Sequence, residues 1–149
     1  MTLDPKKVRI THLADFKAAG HKFSCLTSYD ALTASIFDEA GIEVLLVGDS
    51  AADNALGYDN TMPVTVDELI SLGRAVSGAT KRALTVIDMP FGSYELGPDQ
   101  ALETALAGIA KFGADALVVS LGMDTFEGDP ISGFKLTTQD YLRLGERLA

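Results

Sequence analysis

The sequence predicts an α/β fold in which a parallel sheet of about four strands alternates with helices. Three observations lead to this fold. There are four short apolar runs, and helical periodicity lies between each consecutive pair of them. In addition, residues 44–48 are continuously apolar, as in a strand covered on both faces. Because parallel strands need crossover helices, two architectures satisfy the pattern. They are half of a (β/α)8 (TIM) barrel and a small open doubly wound sheet.

The predicted strands are the four apolar runs, at residues 23–27, 44–48, 83–87 and 116–121. All four runs are short and predominantly apolar. The chain's one cysteine, Cys25, falls inside the first run, where we expect a small core residue.

The predicted helices carry start and stop signals at their ends. Gly41 closes the first helix, residues 31–40, as a left-handed C-cap. Thr65 and Glu68 form a capping box that opens the second, and Pro98 opens the third, which Gly113 closes. A fourth begins near Thr137. Their apolar faces are predicted at Leu32, Ile36 and Ala40; Leu69, Leu72 and Val76; Leu102, Leu106, Ile109 and Phe112; and Tyr141, Leu144 and Leu148.

Length and composition indicate one domain. The chain has 149 residues, of which 47% are hydrophobic and 22% charged, as is usual for a globular protein. We divide this single α/β domain, residues 1–149, into an N-terminal lead-in (1–22), a first group of βα units (23–113) and a last βα unit (114–149). The last helix reaches Ala149 without a stop signal, so we expect the front part of a larger unit.

Charge and cysteine content exclude several functions. With 21 acidic against 12 basic residues, the net charge of −9 disfavours binding to nucleic acid. A single cysteine cannot form an intrachain disulfide or a multi-cysteine metal site. No apolar run approaches the roughly 20 residues that span a bilayer, and no signal peptide is evident. We therefore expect a cytoplasmic protein without a membrane partner.

An aspartate follows each predicted strand, and this is the pattern that points to a site. The four residues are Asp30, Asp49, Asp88 and Asp124. Carboxyl ends of parallel strands meet at one rim, where carboxylates can hold a hard cation such as Mg²⁺. Asp30 directly precedes a helix and is more simply explained as its cap. The connection 49–65 is longer than a βα turn needs, which favours a functional role for Asp49.

Several motifs together strongly resemble the ketopantoate hydroxymethyltransferase family. They lie at residues 26–30 (Leu-Thr-Ser-Tyr-Asp), 36–41, 46–50 (Leu-Val-Gly-Asp-Ser), 56–65 and 88–94 (Asp-Met-Pro-Phe-Gly-Ser-Tyr). The likeness covers roughly residues 5–116. It implies a (β/α)8 barrel, a homo-oligomer, Mg²⁺, an α-keto acid substrate (3-methyl-2-oxobutanoate) and methylenetetrahydrofolate as co-substrate in pantothenate biosynthesis.

The resemblance also implies roles for individual residues. Asp49 and Asp88 match the aspartates that hold Mg²⁺ and the keto acid, and Ser50 matches a residue that contacts the substrate carboxylate. The fourth strand departs from the family: Val118 stands where the family has a lysine, and Ser120 where it has a glutamate. The family's general base lies on a later strand, beyond Ala149. We therefore expect very weak turnover or none.

Residues of about 114–149 resemble a different family, the zinc-dependent acetylpolyamine amidohydrolases and histone deacetylases. Asp124 matches one of that family's zinc ligands, but the Asp-x-His pair that supplies the others has no counterpart, so we expect a vestigial ligand and no deacetylation. Three hypotheses follow. The chain is a Mg²⁺-dependent hydroxymethyltransferase, a truncated or engineered chimera that folds without turnover, or a remnant that binds Mg²⁺ and an α-keto acid weakly.

Overall fold

The computed structural model describes residues 6–112, 137–139 and 143. The chain divides into two compact units, Met1–Ala116 and Leu117–Ala149, and every element named below belongs to the first. In chain order the elements are α1 (Ile10–Ala18), β1 (Cys25–Thr27), α2 (Ala31–Ala40), β2 (Val44–Val47), a π-helical turn (Ala52–Leu56), α3 (Val66–Ala79), β3 (Leu84–Ile87) and α4 (Pro98–Phe112).

The three strands form one parallel sheet in the order β1-β2-β3, and this confirms the predicted α/β fold. In the register, Thr27 pairs with Leu46, and Val47 pairs with Ile87. Alternating βα units of this kind match part of a TIM-barrel-like fold. The predicted fourth strand, 116–121, lies outside the described residues, as does most of the last predicted helix. Within the described part of the chain, no helix has the length and apolar character needed to cross a membrane.

The core lies between the sheet and α3. Leu45 and Val47 of β2 are fully buried, as are Leu69 and Val76 of α3. The strand β2 is central in the described sheet, which explains why its sequence is apolar at every position. The apolar face predicted for α3 is therefore confirmed as the face that packs inward.

Local signals place the ends of α2 and α3 correctly. The Asp30 carboxylate accepts hydrogen bonds from the N–H groups of Leu32 (2.8 Å) and Thr33 (2.9 Å), so this residue is a helix cap. Gly41 ends α2 with a φ of 91°, a left-handed conformation that favours glycine. The capping box of Thr65 and Glu68 opens α3 as predicted.

The apolar face predicted for α2 is not its buried face. Leu32 is 73% exposed and Ile36 is 56% exposed, whereas the buried residues of the helix are Ala34 and Asp38. Helical periodicity shows only which residues are apolar. It cannot show that the Asp38 carboxylate faces inward to accept from backbone N–H groups, with the larger side chains of the helix left exposed.

The expectation that Cys25 is a core residue is wrong, because its side chain is exposed. All three residues of β1 are exposed, and within the described residues this strand pairs on one side only, with β2. Partial desolvation nevertheless raises the pKa of the Cys25 thiol. The lead-in 1–22, for which no element was predicted, contains α1.

Asp38 joins the end of α2 to the segment that leads into β3. Its carboxylate, with the residue only 8% exposed, accepts hydrogen bonds from the N–H groups of Lys81 (2.8 Å), Arg82 (3.1 Å) and Ala83 (2.6 Å). The Arg82 guanidinium in turn donates to the carbonyl oxygen of Ile42 at 3.0 Å. The three bonds to Asp38 span 43 to 45 residues of sequence and fix the chain immediately before the first residue of β3.

Opposing effects act on the Asp38 carboxyl. Its burial on its own raises the pKa, but the hydrogen bonds from Lys81, Ala83 and Arg82, together with the positive charge of Arg82, lower it by more. The pKa of Asp38 therefore lies below its ordinary value of 3.8. The ionised form is the one that the folded structure selects.

We predict that Asp38→Asn lowers the free energy of unfolding by about 2 kcal/mol, because an amide offers one acceptor oxygen to three converging N–H groups. Urea unfolding at neutral pH measures the loss. Glu39→Gln, an equivalent change at the next position, where the side chain is exposed, is the control and should change stability little. Equal stability of the two variants would contradict the role given to Asp38.

The stabilisation by Asp38 should also depend on pH in one direction. Because its pKa is lower in the folded chain than in the unfolded chain, the stabilisation is complete above the unfolded value and is lost as the pH falls through the folded value. We therefore expect the stability gap between wild type and Asp38→Asn to be constant near neutral pH and to shrink below 3.8. A gap that widened on acidification would refute this assignment.

Candidate functional site

Two carboxylates and a hydroxyl lie at the carboxyl end of the sheet. Asp49 and Ser50 follow β2 after a single residue, Gly48. Asp88 is the first residue after β3. The two strands are paired up to Val47 and Ile87, and the Asp88 N–H continues the ladder by donating to the Val47 carbonyl oxygen at 3.0 Å. The structure thus brings together the three residues that the sequence nominated for a shared site.

Asp88 is the carboxyl whose ionisation the fold opposes. Desolvation by the surrounding protein raises its pKa, and the negative charge of Asp49 raises it further. Hydrogen bonds from the N–H of Met89, at 2.9 Å, and from the N–H of Asp49 act in the other direction but are outweighed. The pKa of Asp88 therefore lies above its ordinary value, and a positive charge between the two carboxylates would relieve the cost.

Ser50 has a hydrogen-bond partner that sequence reasoning did not nominate. The hydroxyl of Tyr29, in the turn between β1 and α2, lies 2.7 Å from Ser50 Oγ. The ring of Tyr29 is half-buried and packs against the hydrophobic core. A signal was available, since Tyr29 follows the end of β1 by two residues and so belongs to the same rim as Asp49.

The loop after Ser50 is the long connection that the sequence marked as functional. It contains the π-helical turn Ala52–Leu56, a rare conformation that recurs at functional sites, and Gly57 ends the turn with a φ of 78°. The Asn54 side chain donates to the Ser50 carbonyl oxygen at 2.9 Å. In the middle of the connection, the Tyr58 hydroxyl donates to Glu68 at 2.6 Å, and this bond ties the loop to the capping box of α3.

The loop after Asp88 is anchored to α4. Thr104 Oγ1 donates to the Ser93 carbonyl oxygen at 2.7 Å, and the Gln100 amide donates to the Gly92 carbonyl oxygen at 2.9 Å. Inside the loop, one oxygen of Glu95 accepts from the N–H of Gly92 at 2.7 Å. Both loops that leave the site are therefore held by side chains of the helix that follows them.

The oxygen atoms of this rim fit a hard divalent cation. Mg²⁺ takes one or two carboxylates and fills its remaining positions with water and substrate oxygens, and Asp49 and Asp88 supply such a pair. Within residues 6–112, 137–139 and 143, no group of three or more His, Cys, Asp or Glu side chains is arranged to hold a metal ion. Asp124, the residue matched to a zinc ligand, lies outside the described residues.

Parallel βα units that present carboxylates at the carboxyl ends of their strands define an α/β protein, consistent with part of a TIM-barrel-like fold. Within that class, the family model for ketopantoate hydroxymethyltransferase matches residues 7–128 of this chain. The chain belongs to that family. The match continues 12 residues past residue 116, where the resemblance was expected to end.

Curated relatives agree with the family model. The 3-methyl-2-oxobutanoate hydroxymethyltransferase of Leifsonia xyli subsp. xyli is 58% identical over 118 residues, which are 79% of this chain and 43% of the relative. The enzyme of that name from Corynebacterium glutamicum is 52% identical over 122 residues, 82% of this chain and 45% of the relative. The enzyme of that name from Thermobifida fusca is 56% identical over 117 residues, which are 78% of this chain and 42% of the relative. The chain thus spans less than half the length of these relatives.

The comparisons do not support the deacetylase resemblance of residues 114–149. The family match itself covers the first 15 of those residues, up to 128. Val118 and Ser120, the positions where the sequence departs from the family's lysine and glutamate, lie outside the described residues.

We predict that Asp88→Asn makes the fold slightly more stable at neutral pH, on the order of 0.5 kcal/mol after solvent screening. The variant removes a charge that the site disfavours and keeps an oxygen to accept from Met89. Because the folded pKa of Asp88 is raised, the gain should vanish as the pH falls through that pKa and the wild-type carboxyl becomes protonated. Chemical denaturation measures it, with the exposed Asp59→Asn as control. Destabilisation at neutral pH would contradict the prediction.

Proposed function

We propose that this chain forms the Mg²⁺ and α-keto acid binding part of a 3-methyl-2-oxobutanoate hydroxymethyltransferase. The proposal rests on one observation: Asp49 and Asp88 lie side by side at the ends of adjacent strands, with Ser50 next to Asp49, in a chain of that family. The substrates of the full reaction, 3-methyl-2-oxobutanoate and methylenetetrahydrofolate, belong to the proposal, as do assembly into a homo-oligomer and a cytoplasmic location.

The residues of the rim divide the work of binding. Asp49 and Asp88 would hold Mg²⁺, which when bound withdraws electron density from the keto group and makes the C3 proton more acidic. Ser50 offers a hydroxyl to the substrate carboxylate. The Met89 and Asp49 N–H groups keep the Asp88 carboxylate in one orientation, so the oxygen ligands are arranged before the ion arrives.

Binding and full turnover make different demands. The positions that the family uses for a substrate lysine and a glutamate hold Val118 and Ser120 here, and neither of these side chains carries a charge. We therefore propose that binding and slow exchange of the C3 proton survive, while hydroxymethyl transfer is very weak. The alternative is a chain that folds but shows neither binding nor exchange, and deuterium exchange distinguishes the two.

We predict Mg²⁺-dependent exchange of the C3 proton of 3-methyl-2-oxobutanoate in D₂O, followed by proton NMR. Asp49→Asn and Asp88→Asn should each reduce the exchange rate to that of buffer with Mg²⁺, because one carboxylate is left to hold the ion. Asp59→Asn changes the charge equally within the same loop and should keep the wild-type rate.

Two results would count against the proposal. Exchange that does not depend on Mg²⁺ would exclude the metal role of the aspartates. If the protein at high concentration shows no exchange and no Mg²⁺-dependent binding of the keto acid, the folded, non-catalytic chain becomes the better description.

A further inference from the structure

The contact between Tyr29 and Ser50 raises the question of which hydroxyl donates. The two oxygens are 2.7 Å apart, and either could be the donor. A phenol is far more acidic than an aliphatic alcohol and is the better donor, while the alcohol oxygen is the better acceptor. The favoured arrangement therefore has Tyr29 O–H donating to Ser50 Oγ.

This direction decides where the Ser50 proton points. A hydroxyl has one hydrogen and two lone pairs, so accepting from Tyr29 uses one lone pair of Ser50 Oγ and leaves its O–H free to donate elsewhere. The Ser50 side chain lies at the rim beside Asp49. The carboxylates of Asp49 and Asp88 make this rim acidic. A further anion in this place needs a donor already aimed at it.

We infer that Tyr29 is a positioning residue for the substrate carboxylate, acting through Ser50. Its phenol donates to Ser50 Oγ and directs the Ser50 O–H to the carboxylate of the α-keto acid. This inference rests on the proposed function, and it adds to it a residue that fixes how the keto acid is oriented at the rim.

The turn that carries Tyr29 is held firmly enough for this role. The Ser28 N–H donates to the Leu46 carbonyl oxygen at 3.0 Å, which continues the ladder between β1 and β2 beyond Thr27. Buried Ser28 also shares a hydrogen bond with Thr33 Oγ1 at 3.1 Å, and Thr33 donates to Asp30 at 2.7 Å. With its neighbours fixed and its ring against the core, the Tyr29 hydroxyl has few other places to lie.

The test is a double-mutant cycle on the affinity for 3-methyl-2-oxobutanoate, measured by calorimetry at saturating Mg²⁺. Tyr29→Phe and Ser50→Ala should each weaken binding about tenfold, as expected for the loss of a hydrogen bond to a charged group. The double variant should bind no more weakly than Ser50→Ala, because Tyr29 acts only through that hydroxyl. Affinity for Mg²⁺ alone should be the same in Tyr29→Phe and wild type.

Tyr58→Phe is the matched control. It removes a hydroxyl with a similarly short hydrogen bond, 2.6 Å to Glu68, and should leave keto-acid affinity unchanged. Thermal unfolding verifies that each variant is folded, since Tyr29→Phe retains the ring that packs against the core.

The outcomes separate the two proposals. Wild-type affinity in Tyr29→Phe overturns the positioning role and leaves the proposed function standing. A tenfold loss that persists in the Ser50→Ala background, or a parallel loss of Mg²⁺ affinity, shows a structural role for Tyr29 and also overturns the inference. A wild-type protein that does not bind the keto acid overturns the proposed function and the inference with it.

Discussion

The hydrogen bonds from residues 81–83 to the Asp38 carboxylate determine where β3 begins, and the site depends on that position. From Ala83, the chain pairs with β2 in a register that sets Val44 opposite Leu84 and Val47 opposite Ile87. A slip by one residue would turn every side chain of β3 to the other face and would move Asp88 away from Asp49. A carboxylate at the amino end of the sheet therefore fixes the place of a carboxylate at its carboxyl end.

The two ends of the sheet use aspartate in opposite ways. At the amino end, N–H groups converge on Asp38 and lower its pKa, so its negative charge contributes to stability. At the carboxyl end, desolvation and the charge of Asp49 raise the pKa of Asp88, so its negative charge is a cost. Sites that bind an ion carry such unfavourable charges before the ion is present, and they require a stable scaffold elsewhere in the fold. Asp38 provides part of that scaffold.

Local signals in the sequence were enough to predict the caps and the rim. Asp30 and the capping box of Thr65 and Glu68 depend on residues three apart, and the rim follows from the rule that parallel strands end at one edge. The inward turn of Asp38 could not be predicted, because its partners lie 43 to 45 residues away. For Tyr29 the rim rule offers a partial signal, since it places this residue on the same edge as Ser50, but the hydrogen bond itself exists only once β1 and β2 are paired.

The residues proposed for binding and the groups that the family uses for proton transfer belong to different strands. Asp49 and Ser50 come from one βα unit, Asp88 comes from the next, and Tyr29 comes from the one before, so three consecutive units supply the residues of the proposed binding site. The groups that the family resemblance assigns to substrate charge and proton transfer belong to later strands. The proposed binding depends on β1, β2 and β3 keeping their register, and Asp38 fixes the start of β3.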